Sequence, residues 1–186
     1  MAIDDDPEVV RPFTDGITMP VLVDREHLLT ELYAMSNVPT VVWIDERGRI
    51  ARPNSEAFGT DTFREFTGVE SSQHLDAVRA WVRTGEVDVD VDSTDDAVGD
   101  LSDDEVRARL LFRIGAHLHR AGDADVAERN LAAAVDLAPM DFTIRRAAMP
   151  LRGLDPFGEP LFDMLAEWEE AGRPYHGLAA ERGDGT

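Results

Sequence analysis

Few residues in this chain stand at spacings that support chemistry. His117 and His119 lie two apart in a helical run, and on a helix that step turns their side chains about 200° apart, so one metal ion cannot take both. Asp88, Asp90 and Asp92 alternate like the opening of a helix–loop–helix calcium site. Ser93 and Gly99, however, occupy the sixth and twelfth positions, where that loop needs Gly and Glu. The stretch therefore reads as solvated acidic chain. His27, His74 and His176 are isolated, and no nearby Ser or Asp completes a nucleophile arrangement. Glu167, Glu169 and Glu170 read as the wet face of a helix and not as an acid/base pair. No Gly-rich phosphate loop is present. Cysteine is absent and every basic residue is Arg, which removes thiolate catalysis, disulfides, thiolate metal sites and lysine Schiff bases. The expectation is no catalytic residue, no metal and no cofactor.

The chain has 186 residues, with 38 Asp and Glu against 18 Arg and a formal charge of −20. That field repels phosphate backbones and anionic lipid, so neither nucleic acid nor membrane is an expected partner. With 43% hydrophobic residues the chain can bury a core as one compact domain or two small ones. Met1 to Asp6 has no basic or apolar leader character, and no stretch is apolar enough to span a bilayer. The expected location is the cytoplasm.

Along the chain, Asp6-Pro7 starts a short helix that Pro12 ends. Met19 to Asp24 reads as a buried strand, with Asp24 free to cap an amphipathic helix over 25–35 carrying Leu28, Leu32 and Met35. Val41-Val42-Trp43-Ile44 reads as a strand covered on both faces. A turn at Asp45 to Gly48 returns the chain as a half-exposed strand, Arg49 to Arg52, which Pro53 stops. One helical turn is expected around Phe63 and Phe66, then a helix over 72–83. Residues 86–105 hold ten acidic and no basic residue, a composition break that reads as a linker. Ser102 to Glu105 is a capping box. The helix it opens sets Val106, Leu110, Ile114 and Leu118 four apart, with Leu111 alongside. Gly122-Asp123 ends it, and a second helix carries Ala127, Leu131, Ala134 and Val135 before Pro139, completing a helical hairpin. Pro150 breaks the following stretch. A last helix over 160–171 presents Leu161, Leu165 and Trp168, and the tail from Arg173 is expected to fray. The three tryptophans, Trp43, Trp81 and Trp168, read as core.

The order Pro20 to Asp24, a helix ending at Tyr33, then Asn37-Val38-Pro39-Thr40-Val41-Val42-Trp43-Ile44-Asp45-Glu46-Arg47-Gly48-Arg49-Ile50 resembles the C-terminal half of redoxins, the branch of the thioredoxin superfamily that includes thiol–disulfide oxidoreductases. The resemblance covers about residues 1–83. It implies a cis peptide bond before Pro39, and a substrate or partner site at Val38 and Pro39 with Thr40 and Trp43 nearby. In redoxins the cysteines lie on a helix after an earlier central strand. Ala2 to Asp6 look like the end of the strand after that, so the chain reads as lacking the cysteine-bearing half, and the redox activity does not carry over.

Leu111, Ile114, Gly115 and Leu118, then Gly122, then Ala127, Leu131 and Ala134, then Pro139 resemble one tetratricopeptide repeat in spacing, with aliphatics in the aromatic places. A single repeat must bury its face against flanking helices or another chain.

The expected fold is thus α/β over residues 1–85, a partial thioredoxin-like layer, joined by an acidic linker at 86–101 to a small all-α region over 102–186 with a helical hairpin. Two functions fit: a redoxin-related protein that is redox-silent as given, or a non-catalytic interaction module that uses a sheet edge or the hairpin to hold a protein partner or a second copy. A hydrolase or metalloenzyme built from Asp and His has no supporting spacing.

Overall fold

The computed structural model describes residues 1–4, 6–87, 89 and 99–178, apart from the side chain of Phe66. The chain forms two compact units, residues 1–36 with 101–174, and residues 37–100 with 175–186. The first 36 residues thus group with the C-terminal helices, across the linear division expected at 86–101. That acidic stretch, with Asp88, Asp90 and Asp92, lies largely outside the described residues.

In the first unit, helix α1 (Pro7–Val10) begins as expected, the Asp6 carboxylate accepting from the Glu8 N–H at 2.9 Å, and a 3-10 turn follows over Arg11–Thr14. The strand expected at 19–24 does not form. Val23 makes a single parallel bridge to Ala2, while Met19 and Leu22 are exposed; one bridge gives too few ladder bonds to build a strand. The expected helix over 25–35 shortens to α2 (Leu28–Leu32). The Asp24 carboxylate accepts from the N–H groups of Leu28, Leu29 and Thr30, and so satisfies donors that a helix start leaves bare.

Helices α5 (Asp103–Ala121) and α6 (Ala124–Leu137) form the hairpin, opened by the Ser102–Glu105 capping box and ended by Gly122 in the left-handed region. The buried face of α5 is not the aliphatic stripe. Ala108, Arg109, Phe112, Gly115 and Ala116 point inward, while Leu110 and Ile114 are nearly half exposed. The reason is spacing: a Cβ on Gly115 would lie 2.7 Å from Cγ of the fully buried Leu131, so the helices meet along small residues that leucines could not replace. Phe112, Ala116, Leu131 and Ala134 form one core with Ile144 and Ala148 of α7 (Phe142–Leu151). That helix runs through Pro150, which sits in its last turn. Helix α8 (Glu159–Glu170) closes a second cluster, Trp168 and Met164 against Phe142 and Met149.

In the second unit, β1 (Thr40–Ile44) pairs antiparallel with β2 (Ile50–Glu56) in a two-stranded sheet. Two expectations change here. β1 is not covered on both faces, since Ile44 is 45% exposed. β2 does not stop at Pro53. Val41 faces Ser55 and Trp43 faces Arg52, so Pro53 and Asn54 together oppose Val42, and a bulge tolerates a residue without an N–H. A 3-10 turn (Asp61–Phe63) and α3 (Arg64–Thr67) precede α4 (Ser71–Thr84). Of the tail expected to fray from Arg173, the described part is tied down at its end, where Leu178 bridges Ser55. Gly177, at φ 137°, permits this, because a Cβ there would lie 2.5 Å from the Asn54 carbonyl oxygen.

At this level the fold is mixed, helices with a two-stranded antiparallel sheet, and no helix of the described residues is long and apolar enough to cross a membrane. Gly115→Ala should lower stability by about 1–3 kcal/mol despite the better helix propensity of Ala, because the added methyl forces Leu131 out of place. Urea unfolding of the two proteins measures this directly.

Candidate functional site

The residues singled out by the redoxin resemblance lie at the head of β1. The Val38–Pro39 peptide bond is cis. Asn37 shapes the entry: its side-chain oxygen accepts from the Val38 N–H at 2.8 Å, and its carbonyl accepts from the Thr40 hydroxyl at 2.7 Å. Thr40 Oγ1 also lies 2.9 Å from the Tyr175 hydroxyl. Burial pushes the Tyr175 phenol up to about 12, against the opposing effect of that hydrogen bond, so it is a neutral partner and not a base. The Pro39 carbonyl accepts from the Ala57 N–H, and the ring of Pro39 is exposed.

Trp43 does something different. It is 4% exposed, its ring stacks on Trp81 of α4 at 5.1 Å with an interplanar angle of 22°, and the Arg52 guanidinium sits 5.1 Å from its ring centroid. These contacts fix α4 on the sheet. Thr40 is thus turned to Tyr175 and Trp43 to Trp81, so the structure separates the surroundings of the two side chains. The nearby depression lined by Arg52, Glu56, Ala57, Val69, Glu70, Gln73 and His74 has about 10 Å³ of free volume, room for about one water. It has no space for a small-molecule substrate.

A second cluster, in the first unit, escaped sequence reasoning. Arg109 and Asp141 are both buried, and Arg109 Nη2 donates to Asp141 Oδ2 at 2.5 Å and to the Met35 carbonyl at 2.6 Å. Asp141 Oδ1 accepts from the Thr143 hydroxyl and from the N–H groups of Thr143 and Ile144, capping α7. Against this pair lies His27, fully buried, its backbone left-handed at φ 53° and its ring 4.4 Å from that of Phe112. The Ile3 backbone is the one hydrogen-bonding group felt by its ring, and neither ring nitrogen has a partner of good geometry. Burial pushes its pKa down to about 4, outweighing the opposite pull of Asp141, Asp24 and the Ile3 backbone and adding to that of Arg109. A neutral imidazole with no exposed surface cannot exchange protons with a substrate, so this cluster is architectural. Its capping carboxylates were readable from Asp24 ahead of Leu28 and Asp141 two before Thr143. Its pairing with Arg109, 32 residues away, has no local signal.

His117 and His119 are exposed. Among the described residues no group of three or more His, Asp or Glu is placed to hold a metal ion. No family model, no curated protein and no solved structure matches the chain.

Two expectations follow for this cluster. Replacing Arg109 by Met strands the Asp141 carboxylate in the interior and should cost about 3–5 kcal/mol in denaturant unfolding. For His27 the unfolded chain takes up its proton near pH 6.5 and the folded protein only near 4. Its contribution is therefore intact above pH 6.5 and lost as pH falls from 6.5 towards 4, by about 3 kcal/mol in all. Stability measured against pH for wild type and His27→Leu should diverge over that window, and parallel curves would refute the assignment.

Proposed function

We propose that this protein is a non-catalytic, redox-silent relative of the redoxins, acting in the cytoplasm, that holds an extended segment of a protein partner along β1. With no cysteine in the chain, no dithiol chemistry is available to it, and the small volume of the depression lined by Arg52, Gln73 and His74, about 10 Å³ among the described residues, favours binding over turnover.

One observation carries the reading. β1 has the sequence Thr-Val-Val-Trp-Ile, rich in β-branched residues and free of charge, yet it has β2 on one edge and no strand on the other among the described residues. Edge strands are ordinarily protected by charge, by Pro or by covering structure. An apolar strand left at an edge is suited to strand addition, in which main-chain hydrogen bonds supply affinity and alternate side chains supply selectivity. The charge of −20 opposes a second copy as the added strand and favours a basic one.

The test uses a synthetic strand-forming peptide of alternating Val and Arg. It should bind saturably and slow amide hydrogen exchange within Thr40–Ile44, and Val42→Lys, which puts a protecting charge on the edge, should weaken it by about tenfold. Binding indifferent to Val42→Lys, or no added protection in β1, would remove this reading.

A further inference from the structure

Helices α6, α7 and α8 frame a cleft within the first unit, with a volume of about 230 Å³. Helical spacing assembles it. Arg145, Met149 and Arg152 stand four and then three apart on α7 and at its end, and Pro160, Asp163 and Glu167 stand three and then four apart on α8. Each trio therefore shares a face, and all six residues line the cleft. Gly153, at φ 73°, ends α7 and turns the chain back, and the Leu154 N–H donates to the Met149 carbonyl at 2.8 Å. Leu154 and, from α6, Val135 complete the lining.

The charges of the lining are only partly used by the fold. Arg145 pairs with Glu167 through Nη1, which also donates to the Pro139 carbonyl. Arg152 grips Glu128 through Nε and Nη2 at 2.9–3.2 Å. Nε and Nη2 of Arg145 and Nη1 of Arg152 thus keep their N–H groups without a protein acceptor among the described residues. The Asp163 carboxylate has neither a hydrogen bond nor an ion pair among them. The cleft therefore holds spare donors of positive charge, a spare acceptor of negative charge, and an apolar surface from Val135, Met149, Leu154 and Pro160.

We propose that this cleft binds a single apolar α-amino acid as its zwitterion, the carboxylate on the spare N–H groups of Arg145 and Arg152, the ammonium on Asp163, and the side chain on the apolar surface. Size and charge both select this class. The volume exceeds the roughly 150 Å³ that admits benzene and falls short of the roughly 300–1,000 Å³ of sites for drug-sized molecules. Two guanidinium groups and two carboxylates make the lining formally neutral, which disfavours a polyanion or a polycation and favours a ligand that is itself neutral but carries both signs. An apolar side chain gains from covering Leu154, which is 41% exposed. The cleft belongs to a different unit from β1 and does not depend on the strand-addition reading.

The probe is L-leucine, titrated onto the full chain by isothermal calorimetry and compared with isoamylamine, which lacks the carboxylate, 4-methylpentanoate, which lacks the ammonium, and glycine, which lacks the apolar side chain. Leucine should bind saturably at one site, and each of the other three at least tenfold more weakly. Asp163→Asn and Arg152→Gln should each weaken leucine binding by about tenfold with the circular dichroism unchanged, whereas Val42→Lys should leave it as it is. No binding of leucine, binding of the amine, the acid or glycine as tight as that of leucine, or leucine binding indifferent to both Asp163→Asn and Arg152→Gln would each overturn the proposal.

Discussion

The helical unit depends on the buried contact between Arg109 and Asp141. Taking both charges out of water costs several kcal/mol per ion, and the cost is recovered only if geometry and further hydrogen bonds are good. Here the compensation is mostly on the carboxylate side: Asp141 caps α7 through two N–H groups and the Thr143 hydroxyl, while Arg109 uses Nη2 alone, for the carboxylate and the Met35 carbonyl, and leaves Nε and Nη1 without a partner of good geometry. A single pair thus joins α5, the start of α7 and the segment before Asn37. His27 is seated against the same pair; burial keeps its imidazole neutral, and Phe112 packs on its ring.

Energetically the two units solve different problems. In the helical one, small residues bring α5 and α6 together and polar links tie the first 36 residues on. In the other, an aromatic pair, Trp43 on Trp81, fixes α4 to a sheet of only two strands, and the Tyr175–Thr40 and Leu178–Ser55 contacts bind the C-terminal stretch to it. Each unit also leaves some apolar side chains exposed, Ile44 of β1 in one and Leu28 and Leu32 of α2 in the other.

Much of the local structure was legible. The Ser102–Glu105 box, Asp6-Pro7, Gly122 and Asp24 announced their helix ends because capping is a matter of a few adjacent residues, and the strand, turn and strand around Asp45 to Gly48 followed from short-range pattern. The proline expected to be cis is cis in the structure. The inward faces of α6 (Ala127, Leu131, Ala134) and α8 (Trp168) follow the periodicity, but others do not. Leu110 and Ile114 have the periodicity of a buried stripe, yet the close approach at Gly115 rotates them to the surface. Met19 to Asp24 has the composition of a buried strand but, among the described residues, bridges only Ala2. Pro53 ends a strand by local rules, and a bulge opposite Val42 lets the strand continue.

The sequence alone determined the chemistry that is absent, the charge, and the ends of most helices, because these depend on residue types and on neighbours a few positions away. Only the tertiary structure decided that Arg109 meets Asp141, that His27 is buried and neutral, and that Leu28 and Leu32 face outward. Each of those depends on which distant segments come into contact, and burial, dielectric and hydrogen-bond satisfaction are properties of that contact and not of any stretch of chain.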